Sequence, residues 1–187
     1  NKTTQSWWFV FYKDQLLLEK KENGTFALPY GEIPPAQHAK KVYAFDVQEQ
    51  ALKSTKERLE KQAISNAQLI LDGIKILDKY VSEPIRAAIF NLGYLPSADK
   101  TVITKPDTTL VAIEKILERL EIGGRLAIMI YYGHEGGDME KDAVLEFISA
   151  LDQKEFATML YKPLNQIHQP PFLVMIEKFT LIIKSLC

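Results

Sequence analysis

The stretch Val42-Tyr43-Ala44-Phe45-Asp46, followed at once by the segment Gln48–Gln62, decides the fold class. The first part is apolar up to a terminal acid, the pattern of a strand buried on both faces. The second places Ala51, Leu52, Thr55 and Leu59 on one helical face and Lys, Glu and Arg side chains on the other. Working outward, Gln68–Leu71 reads as another short strand and Ile74–Val81 as a short helix. Ile85–Phe90 is a continuous apolar strand running into Asn91-Leu92-Gly93-Tyr94-Leu95-Pro96. Thr108 or Thr109 can cap a helix carrying Leu110, Ile113, Leu117 and Leu120 at core spacing, and Gly123-Gly124 is expected to stop it. Arg125–Tyr131 returns as a strand, Met139–Leu151 is helical, and Phe156–Tyr161 and Phe172–Glu177 are two closing strands. Strands alternating with helices at this spacing predict an α/β domain with a mostly parallel sheet covered on both faces. In such sheets ligands sit at the carboxyl ends of strands, which directs attention to the residues after Phe45, Leu71, Phe90 and Tyr131.

Residues 1–37 differ in character. Trp7–Tyr12 is aromatic and β-rich, Gln15–Lys20 reads as a second strand, Glu22-Asn23-Gly24 carries a hairpin signal and Thr25–Leu28 a third strand. Pro29, Gly31, Pro34 and Pro35 then break the pattern. The 187 residues suffice for one α/β domain, 47% of them are apolar, and the formal net charge of −1 neither supports nor excludes an RNA partner. The single cysteine, Cys187, excludes an internal disulfide and a cysteine metal site. No His, Cys, Asp and Glu cluster has metal-ligand spacing, so no metal is expected. Asn1–Ser6 lacks the charged and apolar regions of a signal peptide, and no apolar run reaches membrane-spanning length, so a cytoplasmic protein without a membrane partner is expected. No Gly-x-Ser-x-Gly, Gly-Lys-Ser/Thr or Gly-x-Gly-x-x-Gly element occurs.

Four strand ends carry candidate chemistry. Asp46 can accept hydrogen bonds from both hydroxyls of a ribose, with Val47 beside it; equally, it can serve the amides at the start of the following helix. Asp72-Gly73 can meet the exocyclic amine of an adenine or simply form the turn that Asp-Gly favours. In Asn91-Leu92-Gly93-Tyr94 the Asn91 side-chain oxygen and the Leu92 carbonyl can accept protons from a substrate amine and aim its lone pair at an electrophile, while Tyr94 can stack on a base. A plain turn after a buried strand is the alternative there. Tyr131-Tyr132-Gly133-His134-Glu135-Gly136-Gly137-Asp138 offers aromatic faces and, in His134, a base that works near neutral pH, or else a solvated glycine-rich loop.

Taken together and in order, Lys41-Val42-Tyr43-Ala44-Phe45-Asp46-Val47-Gln48, Phe90-Asn91-Leu92-Gly93-Tyr94-Leu95-Pro96, Lys105-Pro106-Asp107-Thr108-Thr109, Tyr131-Tyr132-Gly133-His134 and Pro163-Leu164-Asn165-Gln166 resemble a known family. It is the small class I methyltransferases of the rRNA methylase type, which include the bacterial tRNA 5-aminomethyl-2-thiouridine methyltransferase. The resemblance spans residues 38–178 and implies a Rossmann-like sheet, mostly parallel with an antiparallel last strand. It implies methyl transfer from S-adenosylmethionine to the aminomethyl nitrogen of a wobble uridine in tRNA. Asp46 and Val47 would hold the ribose, Asp72 and Gly73 would lie near the adenine, and Asn91 with the Leu92 carbonyl would face the amine. Tyr94 and His134 would assist on the substrate side.

The family pattern also includes an earlier strand, an Asp-Ala-Thr-x-Gly-Asn-Gly loop and a helix, none of which is found here. The sheet is therefore expected to be incomplete at its N-terminal strand, with open edges that favour a homo-oligomer. Trp7–Tyr12 through Pro29-Tyr30-Gly31-Glu32 resembles instead the N-terminal segment of NADH pyrophosphatases, without the Arg-Glu-x-x-Glu-Glu box of their catalytic domain. Residues 1–37 are thus expected to be of different origin, and 179–187 to form an apolar tail. Two functions stay open: an RNA methyltransferase, or a non-catalytic or chimeric methyltransferase-like domain that has lost cofactor binding and serves a structural or interaction role.

Overall fold

The computed structural model describes residues 7–10, 19–20, 26–27, 39–73, 76–92, 106–133 and 136–180, with the backbone alone described for 7–10, 19–20, 26–27, 106 and 107. Alternation of strand and helix is realised as read. Strand β4 (Val42–Asp46) leads to α1 (Glu49–Lys61), β5 (Ala67–Leu71), the short α2 (Leu77–Tyr80) and β6 (Ile85–Leu92). After these come α3 (Pro106–Arg119), β7 (Leu120–Ile130), α4 (Gly137–Ser149), β8 (Phe156–Tyr161) and β9 (Phe172–Lys178). Three short strands precede them: β1 (Trp7–Val10), β2 (Glu19–Lys20) and β3 (Phe26–Ala27), the last two paired antiparallel.

The seven-stranded sheet has the order β5-β4-β1-β6-β7-β9-β8. Pairs β4–β5 and β6–β7 are parallel, whereas β9 is antiparallel to both β7 and β8. The slot expected to stand empty is occupied by β1, which pairs antiparallel with β4 on one side and β6 on the other. Of the other two predicted N-terminal strands, the described residues are those of β2 and β3, which pair with each other outside this sheet.

One face of the sheet presents Tyr43, Phe45, Phe90, Leu126, Ile128 and Ile176 to α2, α3 and α4, which answer with Leu77, Ile113, Ile116, Val144 and Ile148 in one buried cluster. Each such side chain removed from water contributes about 2 kcal/mol, so this cluster dominates the stability of the domain. On the other face α1 buries Ala51, Leu52, Thr55 and Leu59, the helical stripe predicted from their spacing, with Leu59 packed beside Val42 and Ala87.

Two expectations about α3 are corrected. The helix begins at Pro106, so Thr108 and Thr109 lie inside its first turn and neither is the cap. Proline is well suited to the opening turn because its missing N–H would be unpaired there anyway. Nor do Gly123 and Gly124 end the helix, which stops at Arg119; they fall where the β6–β7 register breaks between Ile85 and Ala87. A side chain at Gly124 would meet the Glu121 carbonyl at 2.8 Å, so the glycine serves the close approach of backbones at the bulge.

At the opposite edge from the strand carboxyl ends, Lys178 is buried to 2% exposure. Its Nζ donates to the carbonyls of Leu117 at 2.9 Å and Glu118 at 3.4 Å and pairs with Glu155 at 3.6 Å. It thereby satisfies orphan carbonyls in the last turn of α3, where the helix dipole favours a cation. Among the described residues, no helix is long and apolar enough to cross a membrane. Lys178→Met keeps the stem and removes the charge, stranding Glu155 and two carbonyls. A loss of about 3 kcal/mol in urea unfolding is expected, and a change below 1 kcal/mol would show the network to be dispensable.

Candidate functional site

The carboxyl ends of β4, β5, β6 and β7 share one edge of the sheet, because β4 and β6 both run opposite to β1. Register places the candidates within that edge. Trp8 pairs with Ala44 on β4 and with Ile89 on β6, so those two residues lie in one row. Two residues further on, Asp46 and Asn91 share the next row on the same face, flanked by Leu71 on β5 and Met129 on β7. Two strand spacings, roughly 10 Å, separate Asp46 from Asn91.

Asp46 is the most constrained of these side chains, at 3% exposure. Its Oδ1 accepts the Gln48 amide at 2.8 Å, serving the entry to α1, whose cap residue Gln48 makes no side-chain capping bond. Its Oδ2 is buried and has no hydrogen-bond partner among the described residues. The helix-entry reading of this acid accounts for Oδ1 alone. Burial outweighs the amide bonds from Gln48 and Val47 and pushes the Asp46 carboxyl up to about 6. A buried acceptor without a donor is costly in an isolated protein, and a bound hydroxyl would relieve that cost. Asp46 thus fits the ribose of a nucleoside cofactor.

Val47 and Gly73 come together at the ends of β4 and β5, where a side chain on Gly73 would stand 3.9 Å from Val47 Cγ1, an ordinary contact. Asp72 Oδ1 accepts the Gly73 amide at 2.7 Å, and the Gly73 carbonyl accepts the Ile76 amide at 3.3 Å, so the turn reading of Asp72-Gly73 is realised. Val47 and Leu71 remain 57% and 56% exposed, an apolar wall beside Asp46 of a kind a planar base can lie against. Leu71 was not singled out from the sequence, because a strand-end leucine is expected inside.

Asn91 is still within β6 and partly exposed, whereas the Leu92 side chain is buried in the core. The Leu92 carbonyl accepts the Tyr131 amide at 2.9 Å, which leaves one lone pair for a substrate. Tyr94 and His134 lie outside the described residues. Tyr132 is buried against Phe172, with ring centroids 5.5 Å apart. The Nζ atoms of Lys141 and Lys162 lie 5.0 and 5.8 Å from its ring centroid. These lysines could not be found by local spacing, since they arrive from α4 and from the β8–β9 connection. That connection also brings Gln169 within 3.7 Å of where a side chain on Gly133 would stand. Its Leu164 is 96% exposed. Gly136, which caps α4, has φ +81°, a conformation that favours glycine. Among the described residues, no three His, Cys, Asp or Glu side chains gather as a metal site.

With this geometry in view, comparison with known proteins is informative. Residues 42–177 match the family model described as Putative rRNA methylase. A methyltransferase structure from Streptococcus mutans, solved in complex with SAH, is 71% identical and superposes with a TM-score of 0.72 over 77% of this chain and 79% of that one. An rRNA methylase structure from Clostridium thermocellum is 40% identical with a TM-score of 0.73, covering 77% and 80% of the two chains. The chloroplastic tRNA (mnm(5)s(2)U34)-methyltransferase of Arabidopsis thaliana is 31% identical over 143 residues, which are 73% of this chain but only about half, 52%, of the plant protein. The sheet from β4 to β9, the acid at the end of β4 and the asparagine at the end of β6 thus stand in a recognised frame: the chain belongs to the rRNA methylase family of methyltransferases.

Proposed function

We propose that this protein methylates an amine nitrogen of RNA with S-adenosylmethionine, the acceptor being the aminomethyl group of a wobble uridine in tRNA. The observation that carries the reading is the buried, unpartnered Oδ2 of Asp46 in one sheet row with Asn91. When bound, S-adenosylmethionine would supply an electrophilic methyl group for transfer to the acceptor nitrogen, with S-adenosylhomocysteine as the leaving product. Asp46 Oδ2 accepts the ribose hydroxyls, and Val47 with Leu71 and Gly73 flanks the base. Asn91 Oδ1 and the remaining lone pair of the Leu92 carbonyl accept N–H protons of the neutral amine. Its own lone pair is thereby turned toward the methyl group. Orientation of this kind is the main rate term available to a displacement without covalent help from the protein. Tyr94 and His134 complete the proposal as base-stacking group and proton acceptor.

A second reading is favoured by β1. In a doubly wound sheet the strand at the switch point ends at the ligand edge and feeds a helix whose N-terminus faces the ligand. Here the strand in that slot starts at the ligand edge, since Trp7 pairs with Phe45 one residue before Asp46. On this reading the chain keeps the family fold as an interaction or structural domain without cofactor binding.

Calorimetric titration with S-adenosylhomocysteine separates the two: micromolar binding supports the enzyme, and a folded chain giving no heat supports the second reading. Because ribose hydroxyls would bind the ionised form of Asp46, affinity should weaken about tenfold per pH unit below about 6. Asp46→Ala should abolish the binding, and unchanged affinity would remove the ribose assignment. Asn91→Ala should lower turnover on tRNA at least tenfold while leaving cofactor affinity within about twofold; the reverse pattern would sink the amine-orienting role. In the free protein, the raised Asp46 pKa means the folded state holds a proton that the unfolded chain releases near 4. Stability therefore falls as pH rises from about 4 to about 6 and stays reduced above that. Asp46→Asn should accordingly gain on the order of 2 kcal/mol at pH 7.5 and nothing below pH 4. A destabilised Asp46→Asn at pH 7.5 would show that the carboxylate is compensated.

A further inference from the structure

The ten residues 162–171 join β8 to β9, and none of them has a part in the chemistry assigned above. The connection stands at the ligand edge. β9 begins at Phe172 opposite Ile130, the last residue of β7, and Leu173 pairs with Met129, which in turn pairs with Asn91. Two strand spacings, roughly 10 Å, therefore separate Leu173 from the asparagine that faces the acceptor. Met159, Leu160, Tyr161, Leu164 and Ile167 are five exposed large apolar side chains within nine residues, with Leu164 and Ile167 at 96% and 95%. A single exposed leucine is ordinary, but a run of this kind is a patch, and patches mark interaction sites. The same stretch indicates the charge of the partner. From Phe156 to Ile176, 21 residues, there is no aspartate or glutamate, although the chain has 24 such acids among 187 residues. Lys162 is exposed, with its Nζ 5.8 and 5.7 Å from the ring centroids of Tyr132 and Phe172. Among the described residues it makes no ion pair, whereas Lys141 at the same Tyr132 ring is held by Asp138 at 2.9 Å and Asp142 at 3.2 Å. A polyanion thus meets no carboxylate of this stretch and finds one cation without a competing acid. Asn165, Gln166, His168 and Gln169 add exposed amides and an imidazole that can donate and accept hydrogen bonds. Unpaired RNA is bound by this combination: cations on phosphates, apolar side chains on base faces and amides on base edges. Protein interfaces, by contrast, are depleted of lysine.

We propose that the β8–β9 connection is a docking loop for the unpaired nucleotides next to the acceptor, with Lys162 on a phosphate and Leu164 and Ile167 against base faces. The proposal rests on the methyltransferase reading for the identity of the RNA. It is tested with the full chain by fluorescence anisotropy on two RNA probes. One is an anticodon stem-loop carrying the wobble aminomethyluridine, the other a fully paired duplex of equal length. The wild type should bind the stem-loop the more tightly. Leu164→Ser with Ile167→Ser should weaken stem-loop binding about tenfold and duplex binding less than about twofold, because base faces are open only in the unpaired loop. Lys162→Gln should weaken stem-loop binding and lower the slope of log Kd against log salt by about 0.7, the contribution of one phosphate contact on a single strand. The replaced side chains are exposed, so the melting temperature should hold and S-adenosylhomocysteine affinity should stay within about twofold. No stem-loop binding by the wild type, unchanged stem-loop affinity in the double variant, an equal loss on the duplex, or an unchanged salt slope in Lys162→Gln would each overturn the proposal. So would a wild type that self-associates in sedimentation and becomes monomeric in the double variant, since the patch would then join copies of the chain. A wild type that binds RNA through the connection but takes up no S-adenosylhomocysteine removes the methyltransferase reading and leaves the docking loop. One that binds S-adenosylhomocysteine while the loop variants are indifferent removes the docking loop alone.

Discussion

Strands β4 and β6 face each other across a gap one strand wide, and each presents a row of backbone donors and acceptors that must be paired if the sheet is to be continuous. β1 fills the gap with two antiparallel ladders, Trp7–Val10 against Val42–Phe45 and Trp8–Val10 against Ala87–Ile89. Every later feature depends on this closure. It aligns Ala44 with Ile89, hence Asp46 with Asn91, and it makes one edge of four parallel strands rather than two separate pairs. Backbone hydrogen bonding is indifferent to side-chain identity, so any extended stretch that can pair on both sides can complete the sheet. Its direction is another matter, because the residue delivered to the ligand edge is the first of the strand and not the last.

The cost of the site is concentrated at Asp46. The end of β4 is buried, and a carboxylate there loses hydration that the amides of Gln48 and Val47 only partly replace. The free Oδ2 and the raised pKa are two expressions of the same desolvation. Lys178 shows the contrasting case. It is as deeply buried, but two carbonyls and Glu155 surround its ammonium, and the whole arrangement closes the end of a helix. A buried charge with a complete set of partners holds the fold together; one with an incomplete set marks where a ligand can complete it.

Much of the fold was legible because the relevant signals are local. The apolar run ending in Asp46, the 3.6-residue stripe of Ala51, Leu52, Thr55 and Leu59, and the strand Ile85–Phe90 were placed to within two residues of β4, α1 and β6. The errors fell where local signals compete. Thr108 and Thr109 looked like caps, but Pro106 opens the helix; Gly123-Gly124 looked like a helix stop, but serves a bulge in β7. Of the candidate site, Asp46, Val47, Asp72, Gly73, Asn91 and Leu92 lie at the shared carboxyl edge, as strand-end logic required. The exposed Leu71, the lysines beside Tyr132 and the Thr109–Glu140 contact were not legible, since each depends on residues brought together across the chain.

The sequence by itself therefore determined the α/β class, the identity of the strands and helices after residue 40, and the acid and the amide at two strand ends. Periods of 2 and 3.6 and apolar runs are written into adjacent residues and need no partner to be read. Tertiary structure alone decided that Trp7–Val10 enters the centre of the sheet and runs antiparallel, because a four-residue strand carries no local feature that selects its neighbours or its direction. It also decided which oxygen of Asp46 lacks a partner among the described residues and which buried acid ties α3 to α4. Both are matters of a few ångströms between groups far apart in the chain, and distance is set only when the core has packed.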